Sequence, residues 1–172
     1  MIRSKITHLV CYDDHRSFTD DVRKRFSDEK KYRVESFHTR PEFIKHFRKL
    51  AENKSCKVAI IVVPDSAEHT EPIEKLPQEV RIPDPATGII LIVPAVKMEE
   101  IRKAIKFNID AYILKNTNAM LRIHNEVKKL ISEYNINVYR KRRNISISVL
   151  LFFAVISVLA VIIAYFRLPG YF

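Results

Sequence analysis

Four ionisable side chains stand at the ends of short apolar runs. Asp13 and Asp14 close the run Ile6–Tyr12, Asp65 follows Val58–Val63 by way of Pro64, and Lys115 closes Ala111–Leu114. Carboxylates are oxygen donors that carry negative charge, and an ammonium is their counterpart. Gathered in one place, such groups handle charge, either on a bound ion or among themselves as a structural ion cluster. They can meet only if the runs that carry them lie side by side and point the same way.

The pattern of the chain predicts that they do. Val58–Val63 (VAIIVV) and Gly88–Val93 (GIILIV) are continuous apolar runs, as central strands buried on both faces require. Ile6–Tyr12, Tyr32–Phe37 and Ala111–Leu114 supply three more strands. Helix faces lie between them: Phe18, Val22 and Phe26; Phe43, Phe47 and Leu50; Met98, Ile101 and Ile105; then Ile123, Val127, Leu130 and Tyr134. Thr39-Arg40-Pro41-Glu42 reads as a capping box, and Asn116 or Asn118 as the cap of the last helix. Between Pro64 and Pro85 the sequence predicts only a short helix around Ile73–Leu76. Five β/α units in order imply an α/β fold, a doubly wound five-stranded parallel sheet with helices on both faces. In such a sheet, functional groups gather at the carboxyl ends of the strands, where strand order reverses. The residues there are Asp13, Asp14, Pro64, Asp65, Pro94, Ala95 and Lys115.

Over roughly residues 4–133 these ends resemble a response-regulator receiver domain, CheY-like, of the flavodoxin-like fold class. LVCYDD resembles that family's acidic pair, and AYILKN, with Tyr112 and Lys115, its fifth-strand motif of switch aromatic and lysine. The resemblance implies a phosphoryl site. Asp13, Asp14 and a third-strand carboxylate would hold Mg²⁺, that third carboxylate would accept a phosphoryl group from a histidine kinase, and Lys115 would steady its oxygens. A fourth-strand hydroxyl would then pull Tyr112 inward.

The chain departs from that pattern. An ungapped register puts Pro64 at the acceptor position, so Asp65 serves only if the strand end shifts by one. Pro94 stands where the hydroxyl belongs, Asn116 where a proline is usual after the lysine, and Asn108-Ile109 where Gly-Ala is usual. The resemblance is therefore to a degenerate, pseudo-receiver form.

A second feature is independent of the sheet. Ile145–Phe166 is 22 residues without a charge, proline or glycine. As a helix it would measure about 33 Å, enough for a hydrocarbon core of about 30 Å. It reads as a single C-terminal transmembrane helix, and MIRSKITHLV at the start is not a secretory signal. The chain carries 30 basic and 20 acidic residues; only one of these, Arg167, follows Ile145. Of the +9 on residues 1–144, four charges are Arg140, Lys141, Arg142 and Arg143, directly before the span. That cluster implies contact with anionic lipid and a cytoplasmic N-terminal domain on the inner membrane. No stripe of arginines interleaved with aromatics suggests nucleic acid.

The expected division is 1–133 receiver-like domain, 134–144 basic juxtamembrane stalk, 145–166 span and 167–172 tail. Enzymatic chemistry finds no support: two glycines (Gly88, Gly170) exclude a P-loop, and no nucleophile elbow is present. The six histidines share no metal-ligand spacing, and Cys11 and Cys56 read as small buried hydrophobes. The expectation is a non-enzymatic signalling or scaffolding module acting through protein partners at the membrane. The alternatives are a phosphorylatable regulator using Asp65, or a subunit of a larger membrane complex packed through Ala154, Ser157 and Ala160. Tyr134, Ile136 and Val138 are candidates for a homodimer seam running from the last helix through stalk and span.

Overall fold

The computed structural model describes residues 6–13, 16–64, 75–104 and 109–167. In chain order the elements are β1 (Thr7–Tyr12), α1 (Arg16–Arg25), β2 (Tyr32–Phe37), α2 (Arg40–Ala51), β3 (Lys57–Val62), α3 (Leu76–Arg81), β4 (Gly88–Val93), α4 (Met98–Ala104), β5 (Ala111–Leu114) and α5 (Ala119–Arg167). The five strands form one parallel sheet in the order β2-β1-β3-β4-β5. Two compact units result, residues 1–132 and 133–172.

Every residue of β3 and β4 is buried, which is why, Lys57 apart, both read as unbroken apolar runs. Strand side chains alternate between faces. Val10, Ala59, Ile61, Ile89, Leu91 and Val93 pack one face against Phe43, Phe47 and Leu50 of α2 and Leu76 and Val80 of α3, with Met98 and Ile101 of α4 at its margin. The alternate residues, among them Leu9, Cys11, Ile60, Ile90 and Ile92, are equally buried. On α1 Thr19 and Val22 are buried, with Phe26 just past its end; on α5 Ala119, Ile123, Val127 and Leu130 are buried, and the Phe26 ring lies 5.4 Å from that of His124. A Cβ on Gly88 would lie 2.8 Å from Leu130 Cδ1, so glycine at the start of β4 permits α5 its close approach. Ile105 lies outside the described residues.

One local expectation is corrected. Thr39 occupies the N-cap of α2 in an extended conformation, yet its side chain makes no capping bond. Pro41 in the first turn, with its preset φ and no N–H, starts that helix without a capping box. A short helix runs over Leu76–Arg81, where Pro77 stands in the first turn and Leu76 and Val80 bury one face; of the helix expected around Ile73–Leu76, residues 73 and 74 lie outside the described residues. Before α5, the Asn116 side-chain oxygen accepts the Asn118 N–H at 3.1 Å, a local turn that introduces the helix.

At the amino ends of the strands, ions take over from apolar contact. Lys57 Nζ donates to Asp84 Oδ2 and to the Asn53 carbonyl, both at 2.6 Å, with only 2% of its side chain exposed. Asp110 Oδ2 accepts from the Ile89 N–H and from Arg81, each at 2.7 Å, tying β4, α3 and the entry to β5. Arg40 grips Glu79 with two donors, at 2.7 and 3.2 Å, and joins α2 to α3. Cys11 and Cys56 are free and buried, and burial pushes both thiols up to about 12.

His8 on β1 is the acid-sensitive point of this frame. Its Nδ1 lies 3.8 Å from Glu35 Oε2, which is also 2.8 Å from His46 Nε2. Burial nevertheless dominates and holds the His8 imidazole below its ordinary value; Glu35 opposes the shift, while Arg33 and His46 add to it. The neutral form is the one the fold favours. Stability is therefore complete above about pH 6.5, where the unfolded imidazole is also neutral, and falls as the pH drops from there toward the folded value, by up to about 1.4 kcal/mol per pH unit.

Two measurements follow. Asp84→Asn leaves the Lys57 ammonium buried without its counter-charge and should lower the unfolding free energy by about 3 kcal/mol. Adding Lys57→Met should recover most of that in a urea titration of the chain in neutral detergent, and no recovery would mean that the pair is not the coupled unit. Unfolding followed from pH 7.5 to pH 5 should show a loss that is shallower in His8→Gln, by less than one proton. An unchanged slope there would assign the acid sensitivity elsewhere.

Candidate functional site

Parallel register fixes which residues end together. Tyr12, Ile61, Leu91 and Tyr112 are partners across β1, β3, β4 and β5 and so form one row. Asp13 is one step beyond that row. Val62 pairs with Ile92 and Val93 with Leu114, so the same register carried forward sets Pro64, Pro94 and Lys115 level with one another. The ladder persists to that edge: the Val63 N–H donates to the Ile92 carbonyl and the Lys115 N–H to the Val93 carbonyl, both at 2.9 Å. Proline has no N–H with which to extend it.

Asp13 is 3% exposed, and its backbone is held from both sides by the end of β2. Its N–H donates to the Phe37 carbonyl at 3.2 Å, and its own carbonyl accepts from His38 Nδ1 at 2.6 Å. Because a carbonyl can only accept, the Nδ1 of His38 carries the proton.

Pro94 is buried and extended, with φ −60° and ψ 146°. Its carbonyl receives the Lys97 N–H at 3.1 Å, closing the 3₁₀ turn Ala95–Lys97 that leads into α4. From that turn Lys97 Nζ reaches the Pro64 carbonyl at 3.1 Å and ties the loop after β4 to the end of β3.

Asp13, Pro64, Pro94 and Lys115 are thus gathered at one end of the sheet, with Lys115 exposed and Tyr112 partly buried against the α2–α4 side of the core. Asp14 and Asp65 lie outside the described residues. Of the three carboxylates that the resemblance assigns to Mg²⁺, only Asp13 is described; among the described residues no three His, Cys, Asp or Glu side chains gather closely enough for a metal ion. Lys97 and His38 were not legible as site residues. The only signal for Lys97 was its place three residues past Pro94, and for His38 its place directly after β2.

In the second unit Arg140, Lys141, Arg142 and Arg143 are exposed on α5. This helix is the one, among the described residues, that is long and apolar enough to cross a membrane. The leucines, isoleucines, valines and phenylalanines from Ile145 to Ile163 are all exposed. Ser146 donates to the Arg142 carbonyl at 3.2 Å and Ser157 to the Phe153 carbonyl at 2.9 Å, so both hydroxyls are satisfied within the helix. Tyr134 and Val138 are half-buried and Ile136 is exposed.

No protein-family model matches the chain, and no curated protein matches it. Solved structures do. A response-regulator receiver domain protein from Clostridium thermocellum matches with a TM-score of 0.62 at 14% identity, over 76% of this chain and 98% of that one. A CheY-like receiver domain protein from Methanospirillum hungatei matches with a TM-score of 0.56 at 19% identity, over 77% and 98%. An adenylate cyclase from Rhodopirellula baltica matches with a TM-score of 0.61 at 13% identity, over 78% and 94%. At these identities the likeness is one of fold, and the fold is the flavodoxin-like one of receiver domains.

Proposed function

We propose that the chain is an atypical receiver-like signalling or scaffolding module, anchored to the inner membrane by α5 and acting through protein contacts and not through catalysis. The observation that carries this reading is the row Pro64, Pro94 and Lys115. On a receiver fold that row is where the acceptor carboxylate, the hydroxyl and the lysine belong, and two of the three positions are filled by prolines. A proline side chain neither takes up a phosphoryl group nor hydrogen-bonds one. At the end of β4, Pro94 likewise offers no hydroxyl that could draw Tyr112 inward. The surface offered to a protein partner is the α4–β5 side, where the turn after β4 presents Val96 almost fully exposed.

The basic residues 140–143 and the apolar helix support the anchored part of the reading, with the domain on the side of anionic lipid. One observation favours a second reading, a regulator phosphorylated on Asp65: the buried Asp13 and the exposed Lys115 keep the places of the family's acid and lysine. A histidine kinase would then be its partner and Mg²⁺ its cofactor.

Two experiments decide. Mg²⁺ followed by beryllofluoride should leave the amide resonances of Asp13, Tyr112 and Lys115 unmoved in the full chain in neutral detergent. A saturable Mg²⁺ response with a further beryllofluoride shift would transfer the function to the Asp65 reading. In vesicle flotation the chain should stay with neutral and anionic vesicles alike. Changing residues 140–143 to glutamine should remove only its preference for anionic ones, about 1 kcal/mol per charge. Release of the unaltered chain into solution would sink the anchor.

A further inference from the structure

Along the open side of β2, between it and α1, lies a polar notch of about 360 Å³ that meets the strand-end crevice only through His38. Its walls are Thr19, Asp20 and Arg23 from α1, and Ser36 and His38 from β2 and its end. Thr19 and Arg23 are one helical turn apart and therefore share a face of α1. Arg23 spans the notch: one terminal nitrogen is 3.4 Å from Asp20 Oδ1, and the other donates to Ser36 Oγ at 3.1 Å. A guanidinium has five N–H donors, and these two contacts leave three for a ligand.

Two further features point to an occupant. Thr19 is 1% exposed, and its hydroxyl has no hydrogen-bond partner among the described residues. A buried hydroxyl left so has given up its hydrogen bonds to water without replacing them. His38 uses Nδ1–H on the Asp13 carbonyl, which leaves Nε2 of the neutral ring as an acceptor. The notch thus combines a cation, hydroxyls and one imidazole acceptor.

That set fits an oxyanion that also carries its own proton. We propose that this notch binds inorganic phosphate as the free ion, which keeps an O–H at neutral pH. Its oxygens accept from the guanidinium of Arg23 and from the hydroxyls of Thr19 and Ser36, and its O–H donates to His38 Nε2. Sulfate has the charge and shape but no proton to give at neutral pH. Asp20 lies beside the same guanidinium and competes with the ligand for it. Occupancy is felt at Asp13, because His38 is bonded to the Asp13 carbonyl. The site is separate from the row of Pro64, Pro94 and Lys115, so it stands whichever reading of that row is right.

The test is a titration of the full chain in neutral detergent with sodium phosphate at constant ionic strength, read from amide shifts. Saturable shifts should appear at Thr19, Arg23, Ser36, His38 and Asp13, with sulfate at least tenfold weaker. Two variants on the exposed side of α1 should then move affinity in opposite directions. Arg23→Gln should weaken binding tenfold or more, and Asp20→Asn should tighten it severalfold. A merely structural Arg23–Asp20 pair would lose nothing specific to phosphate in either variant. Shifts that never saturate, that follow sulfate equally, or that survive Arg23→Gln would overturn the proposal. Glycerol 1-phosphate, whose phosphate has lost its last O–H at neutral pH, should bind as weakly as sulfate, and equal or tighter binding than the free ion would overturn the contact to His38.

Discussion

Everything in the first unit depends on the burial of β3 and β4 on both faces. A strand with no wet face needs a cover above and below, and a parallel sheet obtains it from its crossover helices. Parallel strands have all their carboxyl ends at one end of the sheet, so whatever the chain writes just after each apolar run is collected there. Asp13, Pro64, Pro94 and Lys115 come together for that reason alone; no contact between them is required. The amino ends face a different problem. There the core gives out, and the buried ammonium of Lys57 against Asp84, with Asp110 bridging β4 and α3, closes what side-chain burial leaves open.

The prolines change what such a crevice can do without disturbing the sheet. Pro94 directly follows β4 and Pro64 stands two residues past β3, where the missing N–H costs little because the ladder is ending. The ends are then fixed by other means. The Pro64 carbonyl is held by Lys97, and the Pro94 carbonyl closes the turn that leads to α4. A loop bound to the end of β3 by an ammonium is less free to move than one held by backbone alone. In the proposed reading this suits a surface that is presented in one form and is not switched between two.

How much of this was legible depended on range. Strands showed because burial on both faces demands apolar residues at every position, and VAIIVV and GIILIV have no other use in a chain of this size. The stripe Ile123, Val127 and Leu130 likewise foretold the buried face of α5. Boundaries set by a single proline were harder to place, since Pro77 opens α3 although a proline more readily suggests a helix's end. The sequence at Thr39 had the letters of a capping box, yet a proline in the first turn makes that cap dispensable. Contacts between distant loops left no trace at all. Nothing in the spacing of Lys97 and Pro64, or of His38 and Asp13, announces a bond 33 or 25 residues long.

Within α5, magnitudes separate attachment from orientation. Ile145–Phe166 contains fifteen leucines, isoleucines, valines and phenylalanines. At about 0.3–0.6 kcal/mol each in favour of the bilayer, they contribute roughly 5–9 kcal/mol, and Ser146 and Ser157 satisfy their hydroxyls along the helix. Four basic residues on anionic lipid contribute about 4 kcal/mol at most, and salt screens that within a Debye length of about 8 Å. In the membrane-bound reading, then, attachment belongs to the apolar run and survives high salt. The cluster Arg140–Arg143 is too weak to hold the chain alone. In the same reading it can choose the side on which the first unit faces, since a choice between two orientations needs only a difference of a few kcal/mol.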